Sequence, residues 1–147
     1  MRKSLVACLI AATMVAPALA RNTEYKLNLA DVLNSSAAKA RLDGSIAFYF
    51  GDNTMPAGAE RKGDDVMNRI AKGDRQNDDL TACMNAALDA LVGLQDRARQ
   101  LGANAVVNIV SYYKNNTFSS ATQYECHAGG TGGHLTFRAV YAVVPKK

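Results

Sequence analysis

Residues 77–113 constrain the fold more than any other stretch of the chain. Apolar side chains recur at Leu80, Met84, Ala87, Leu91, Leu94, Ala98 and Leu101, an alternation of four and three that lines one face of an α-helix. Asp89, Asp96, Arg99 and Gln100 fall on the opposite, solvated side. Asn77, Asp78 and Asp79 open the segment, where side-chain oxygens cap free amides and negative charge suits the helix dipole. Gly102 predicts a left-handed stop. Ala105–Tyr113, rich in β-branched and aromatic residues, then predicts a buried strand.

The chain begins with a different kind of pattern. Arg2 and Lys3 precede an apolar run from Leu5 to Ala16, and Ala18-Leu19-Ala20 follows a proline. These are the three regions of a secretory signal peptide, with cleavage expected after Ala20. Residues 1–20 are therefore read as the signal and 21–147 as one domain. The run is too short to span a bilayer, so no membrane span is expected after cleavage. Leu5-Val6-Ala7-Cys8 has the form of a lipoprotein box but lies too early, and Cys8 is assigned to the discarded signal. The formal charge of +4 falls to +2 once Arg2 and Lys3 leave. No cluster of Lys and Arg with interleaved aromatics marks a nucleic-acid face, and Lys146-Lys147 is only a short basic tail.

The remaining segments predict strands around the helix. Glu24–Ala30 alternates polar and apolar; Asp31–Leu42, with Ala37, Ala38 and Ala40, favours a short helix; Asp43-Gly44 is a turn. Ser45–Phe50 reads as a strand, 51–65 as an exposed loop, and Val66–Ala71 as another short strand. After a turn at Lys114-Asn115-Asn116, Ala121–Cys126 is a strand with Thr122, Tyr124 and Cys126 on one face. Ala128–Gly133 is a glycine-rich loop. In His134–Val144 the residues Leu135, Phe137, Ala139, Tyr141 and Val143 share a face. The expected fold is α+β and two-layered: an antiparallel meander of about three to five strands covered by one long helix.

Two cysteines remain after the signal, Cys83 and Cys126. In an exported chain an even pair is most simply a disulfide, with two free thiols or a metal site as the other readings. Cys83 lies beside the helix's apolar stripe and Cys126 on the face of Thr122 and Tyr124, so a bridge would join helix to sheet. Glu125, His127 and His134 add metal-ligand types, but the spacing matches no standard metal motif. No metal ligand is assigned and no cofactor is expected. Cys126, His127 and Glu125 do not form a catalytic triad, because neighbours on a strand point to opposite faces. Gly129–Gly133 lies between strands rather than ahead of a helix, unlike a phosphate cradle. Tyr112, Tyr113 and Lys114 end the central strand and form the candidate partner surface, while Asn104 and Asn108 read as backbone-binding residues.

Several of these segments carry a resemblance. Asp43-Gly44, Phe48–Gly51, Cys83, Ala87-Leu-Asp-Ala-Leu91 with Leu94-Gln95, Gly102–Ile109, Ser111–Lys114 and Tyr124–Gly129 together resemble a family of small exported proteobacterial proteins often named "excinuclease ATPase subunit". More distantly, the helix, the Ala103–Val106 turn and the following strands look like the YbjQ family, labelled putative heavy-metal-binding domains, and the RcsF-like envelope lipoproteins. The ATPase name implies Gly-x-x-x-x-Gly-Lys-Ser/Thr, whose amides and Lys hold phosphates. The nearest stretch, Gly58–Asp65, has Asp64 and Asp65 where Lys and Ser/Thr are needed. The sequence thus favours a periplasmic or secreted, non-catalytic module that binds a protein or small ligand of the cell envelope. A metal-binding module using Cys and His is the competing class, and an enzyme the third.

Overall fold

The computed structural model describes residues 20–75 and 78–145. The signal segment apart from Ala20, Asn77 at the expected helix start, and the Lys146-Lys147 tail lie outside the described residues. In chain order the elements are β1 (Thr23–Asn28), α1 (Leu29–Leu33), α2 (Ser36–Arg41), β2 (Ala47–Phe50), β3 (Glu60–Ala71), α3 (Asp79–Gln100), β4 (Ala105–Tyr113), β5 (Asn116–Phe118), β6 (Gln123–Gly129) and β7 (Gly132–Val143). The fold is α+β, with α3 packed on a seven-stranded sheet.

The sheet is larger than expected and is not a simple meander. β7 is its centre. One edge of β7 pairs with β3 from Glu60↔Val143 to Ala71↔Gly133. Its other edge is shared: β6 takes the start (His127↔His134) and β4 the end (Ala105↔Ala142 to Ser111↔Phe137), all antiparallel. β1 flanks β6, β5 returns along β4, and β2 adds to β4 in parallel.

α3 forms because its periodic apolar face has somewhere to go. Asp78 caps it by accepting from the Thr81 amide at 3.3 Å, and Gly102 follows at φ +67°. The buried stripe is Ala82, Cys83, Ala86, Ala87, Ala90, Leu91, Leu94 and Ala98. It is turned from the expected one at its start: Leu80 is 53% exposed and Met84 only half-buried. Small residues line the contact because the helix sits close. A Cβ on Gly133 would lie 2.5 Å from the backbone of Ala82 and Cys83. Against the stripe pack Val106, Ile109, Tyr124, Leu135, Phe137, Ala139 and Tyr141. Cys83 and Cys126 are joined in this layer as a disulfide, their Cα atoms 5.9 Å apart.

Polar clamps hold the periphery. Arg21 grips Asp79 with both guanidinium nitrogens (Nη2 at 2.8 Å), and Tyr25 donates to the same carboxylate at 2.9 Å, tying β1 to the start of α3. Those bonds, Arg21's foremost, hold the Asp79 carboxyl below its ordinary range. Gln95, buried in α3, accepts from the Asp43 amide and donates to the Arg41 carbonyl. Asn104 and Asn108 bind backbone, as expected. Asn104 exchanges two hydrogen bonds with Val144, and Asn108 Oδ1 accepts from the Thr54 amide at 2.7 Å.

Two loops are corrected. Residues 60–65 are strand, not loop; their charges are compatible with β3 because it lies at the sheet edge, and a register slip between Arg61 and Gly63 obscures the alternation. The glycine-rich loop contracts to a two-residue turn, Gly130-Thr131, between β6 and β7. At Lys114 and Asn115, φ of +48° and +66° makes the tight turn that returns β5 along β4.

The disulfide closes a separation of 43 residues. Cys83→Ser or Cys126→Ser is expected to lower the stability of the oxidised protein by about 4 kcal/mol in the chain-entropy account. The double variant should cost little beyond either single one. Urea unfolding with and without reductant measures both.

Candidate functional site on the helix-free face

Because Cys126 points to α3, the period of two in β6 sends Glu125 and His127 to the other side of the sheet. Register then assembles their neighbours. Glu24 of β1 lies opposite His127, and so does His134 of β7 on the other flank. His127 Nε2 donates to Glu125 Oε1 at 2.9 Å, since a carboxylate only accepts. The pair is shielded, with His127 only 8% exposed, and its Nδ1 is buried without a partner.

The cover comes from β4. Its pairing with β7 ends at Ser111, whose Oγ accepts from the Glu125 amide at 2.9 Å; Ser111, Tyr112 and Tyr113 pair with β5 along the other edge of β4. Tyr113 is thereby laid on His127, ring centroids 3.6 Å apart and planes 14° from parallel, while His134 meets the Tyr113 ring edge-on at 5.4 Å. His134 Nε2 also bonds Asn68 Oδ1 of β3 at 2.7 Å. Lys114 Nζ stands 5.3 Å from the centre of the Tyr113 ring, and the Arg138 guanidinium 4.5 Å from that of Tyr112.

The residues singled out in the sequence therefore separate into two groups. Tyr113 joins Glu125, His127 and His134 in one cluster, with Tyr112 and Lys114 beside it. Cys83 and Cys126 are on the other face and bonded to each other, so neither sulfur is a metal ligand or a nucleophile there. Glu24 escaped the sequence reading. It lies about a hundred residues from its partners, and only the β1–β6 register brings it to them. Glu24, Glu125 and His127 offer three ligand atoms that all lie within 4.8 Å of one another.

Two other places bear on chemistry. A cleft of about 350 Å³ lies between the Gly129–Gly132 turn and the start of α3. The glycines do face a helix N-terminus through the tertiary fold, but Asp78 already caps it and Asp79, held by Arg21, also lines the cleft. Gly58–Asp65 runs into β3 rather than into a helix, so it lacks the strand–loop–helix frame of a phosphate-binding loop. No helix among the described residues is long and apolar enough to cross a membrane. Comparisons with family models, curated proteins and solved structures yield no match to the chain.

Burial foremost, with His127 and the Lys114 ammonium nearby, pushes the His134 imidazole below its ordinary pKa. An unfolded chain binds that proton first, so this residue's contribution is full above about pH 6.5 and falls as pH drops towards the lowered value. Proton NMR should place the His134 midpoint below 6.5, and Lys114→Ala should raise it.

Proposed function

We propose that the mature chain is an exported, non-catalytic binding module of the cell envelope. The observation that carries this reading is the buried Cys83–Cys126 bridge between α3 and the sheet. Such a bridge suits an oxidising compartment, which agrees with the signal pattern of residues 1–20. The resemblance to small exported proteobacterial proteins supports the same assignment. The ATPase name finds no support at Gly58–Asp65, where Asp64 and Asp65 stand in place of Lys and Ser/Thr and the segment runs into an edge strand.

The proposed contact surface is the β4–β5 hairpin with its neighbours: Tyr112 beneath Arg138, and Tyr113 and Lys114 beside the two histidines. Aromatic rings backed by guanidinium and ammonium groups supply large contact area with polar edges, the composition that interface anchors favour. A photo-crosslinking residue at Lys114, in protein exported by living cells, should give a discrete adduct. Tyr112→Ala should abolish that adduct while leaving the thermal melt within a few degrees. No adduct, or one indifferent to Tyr112, refutes the surface.

A second reading has its own observation. Glu24, Glu125 and the nearly buried His127 bring a nitrogen and two carboxylates into the space of a divalent-cation site, with one imidazole nitrogen unpartnered. This is a metal-binding module without cysteine ligands. Calorimetric titration of the oxidised protein with zinc should show one site per chain. Glu24→Gln or His127→Ala should weaken it about tenfold or more. Absence of saturable binding, or equal affinity in the variants, excludes it.

A further inference from the structure

β3 is twelve residues long and is bonded to β7 along one edge only; among the described residues no strand pairs with its other edge. Free edges of this length are usually blunted by a bulge, a proline or inward charges. Here the register slip between Arg61 and Gly63 disturbs only the start of the strand, leaving Asp64–Ala71 regular and proline-free, with Asp65 and Arg69 as its charges on the helix-side face. The outward backbone groups belong to the even-numbered residues. The Val66 amide turns to Asp65 Oδ1 at 2.8 Å, and the Asn68 carbonyl accepts from the Arg69 guanidinium at 2.7 Å. Side chains thus satisfy, on the solvent side, groups that a ladder would otherwise satisfy. The even-numbered side chains also carry exposed apolar surface: Val66 is 51% and Ile70 58% exposed, both on the helix-free face.

We propose that β3 pairs antiparallel with β3 of a second copy of this chain, about a two-fold axis through Asn68, joining the two sheets into one. Parity limits the possible registers, and two features select this one. A two-fold axis normal to the sheet keeps each side chain on its own face, so opposed residues must have the same parity. With Asn68 opposite itself, Val66 meets the second copy's Ile70 and Ile70 its Val66, covering the two exposed apolar side chains. Asp64, which Arg61 contacts at 2.8 Å within the chain, meets Lys72, the residue just after the strand, once at each end, so each end of the interface brings opposite charges together. The residues that would exchange amide and carbonyl bonds, Val66, Asn68 and Ile70, are those whose parity faces outward. Such an isologous contact closes at two copies and exposes no further β3 edge.

Sedimentation equilibrium of the oxidised chain 21–147, over about 1–500 µM, should show a monomer–dimer equilibrium. Asp64→Lys alone or Lys72→Asp alone should weaken the dimer roughly tenfold by opposing like charges. The two together restore opposite pairs in trans and should return it to within about threefold of the native constant. Val66→Lys with Ile70→Lys should leave a monomer whose thermal melt and circular dichroism remain native, because both positions are exposed. Hydrogen exchange should slow at Val66, Asn68 and Ile70 as concentration rises. A protein monomeric throughout that range overturns the proposal. So does a dimer indifferent to positions 64, 66, 70 and 72, or β3 amides protected only by an added extended peptide, which would assign the edge to a foreign strand.

Discussion

The close approach of α3 to the sheet is the constraint from which the other features follow. It depends on alanines along the helix, and on Gly133 beneath the backbone of Ala82 and Cys83, where a Cβ would lie 2.5 Å from main-chain atoms. At that separation the two cysteines fall within bridging distance. The layer can then be filled by Leu91 and Leu94 on one side and Tyr124, Leu135, Phe137 and Tyr141 on the other. Fixing Cys126 towards the helix leaves Glu125 and His127 no alternative but the opposite face.

β7 distributes the consequences of that packing. It holds β3 on one edge, and β6 and β4 in succession on the other. Two strands competing for one edge cannot both continue, so β4 leaves β7 after Ser111 and turns back through β5. That departure lays Tyr113 over His127. A local accommodation accompanies it: β4 slips register between Val107 and Val110, and Asn108 at φ +52° is clasped by Thr54 through both backbone and side chain. The aromatic–histidine cluster is thus a product of sheet topology rather than of any contiguous motif.

Covalent and ionic ties complement one another across the layer. The bridge joins α3 to β6, while Arg21 and Tyr25 join β1 to Asp79 at the start of the same helix. If the signal ends at Ala20, Arg21 becomes the first residue of the mature chain, so export leaves the anchoring guanidinium in place. The helix-free face is left with the polar aromatic cluster, and β3 with a free edge. The proposed binding and pairing both belong to these two regions.

Much of the fold was legible in the residue pattern, because helix and strand periods are local properties. The helix with a cap within 77–79 and stop at Gly102, the strand after it, the shared face of the last strand and the face of Cys126 all follow from spacing and backbone stereochemistry. The class α+β follows from one long amphipathic helix beside alternating strands. The pattern was least informative where burial is one-sided or absent: the charged start of β3 looked like a loop, and alanines hid the true rotation of the stripe near Leu80. Strand order was beyond it altogether. Neighbourship in a sheet depends on long-range backbone pairing, and many orders satisfy the same alternation. Only the tertiary structure placed β6 and β4 in succession along one edge of β7 and β3 along the other, brought Glu24 to His127, stacked Tyr113 there, and left the outer edge of β3 open.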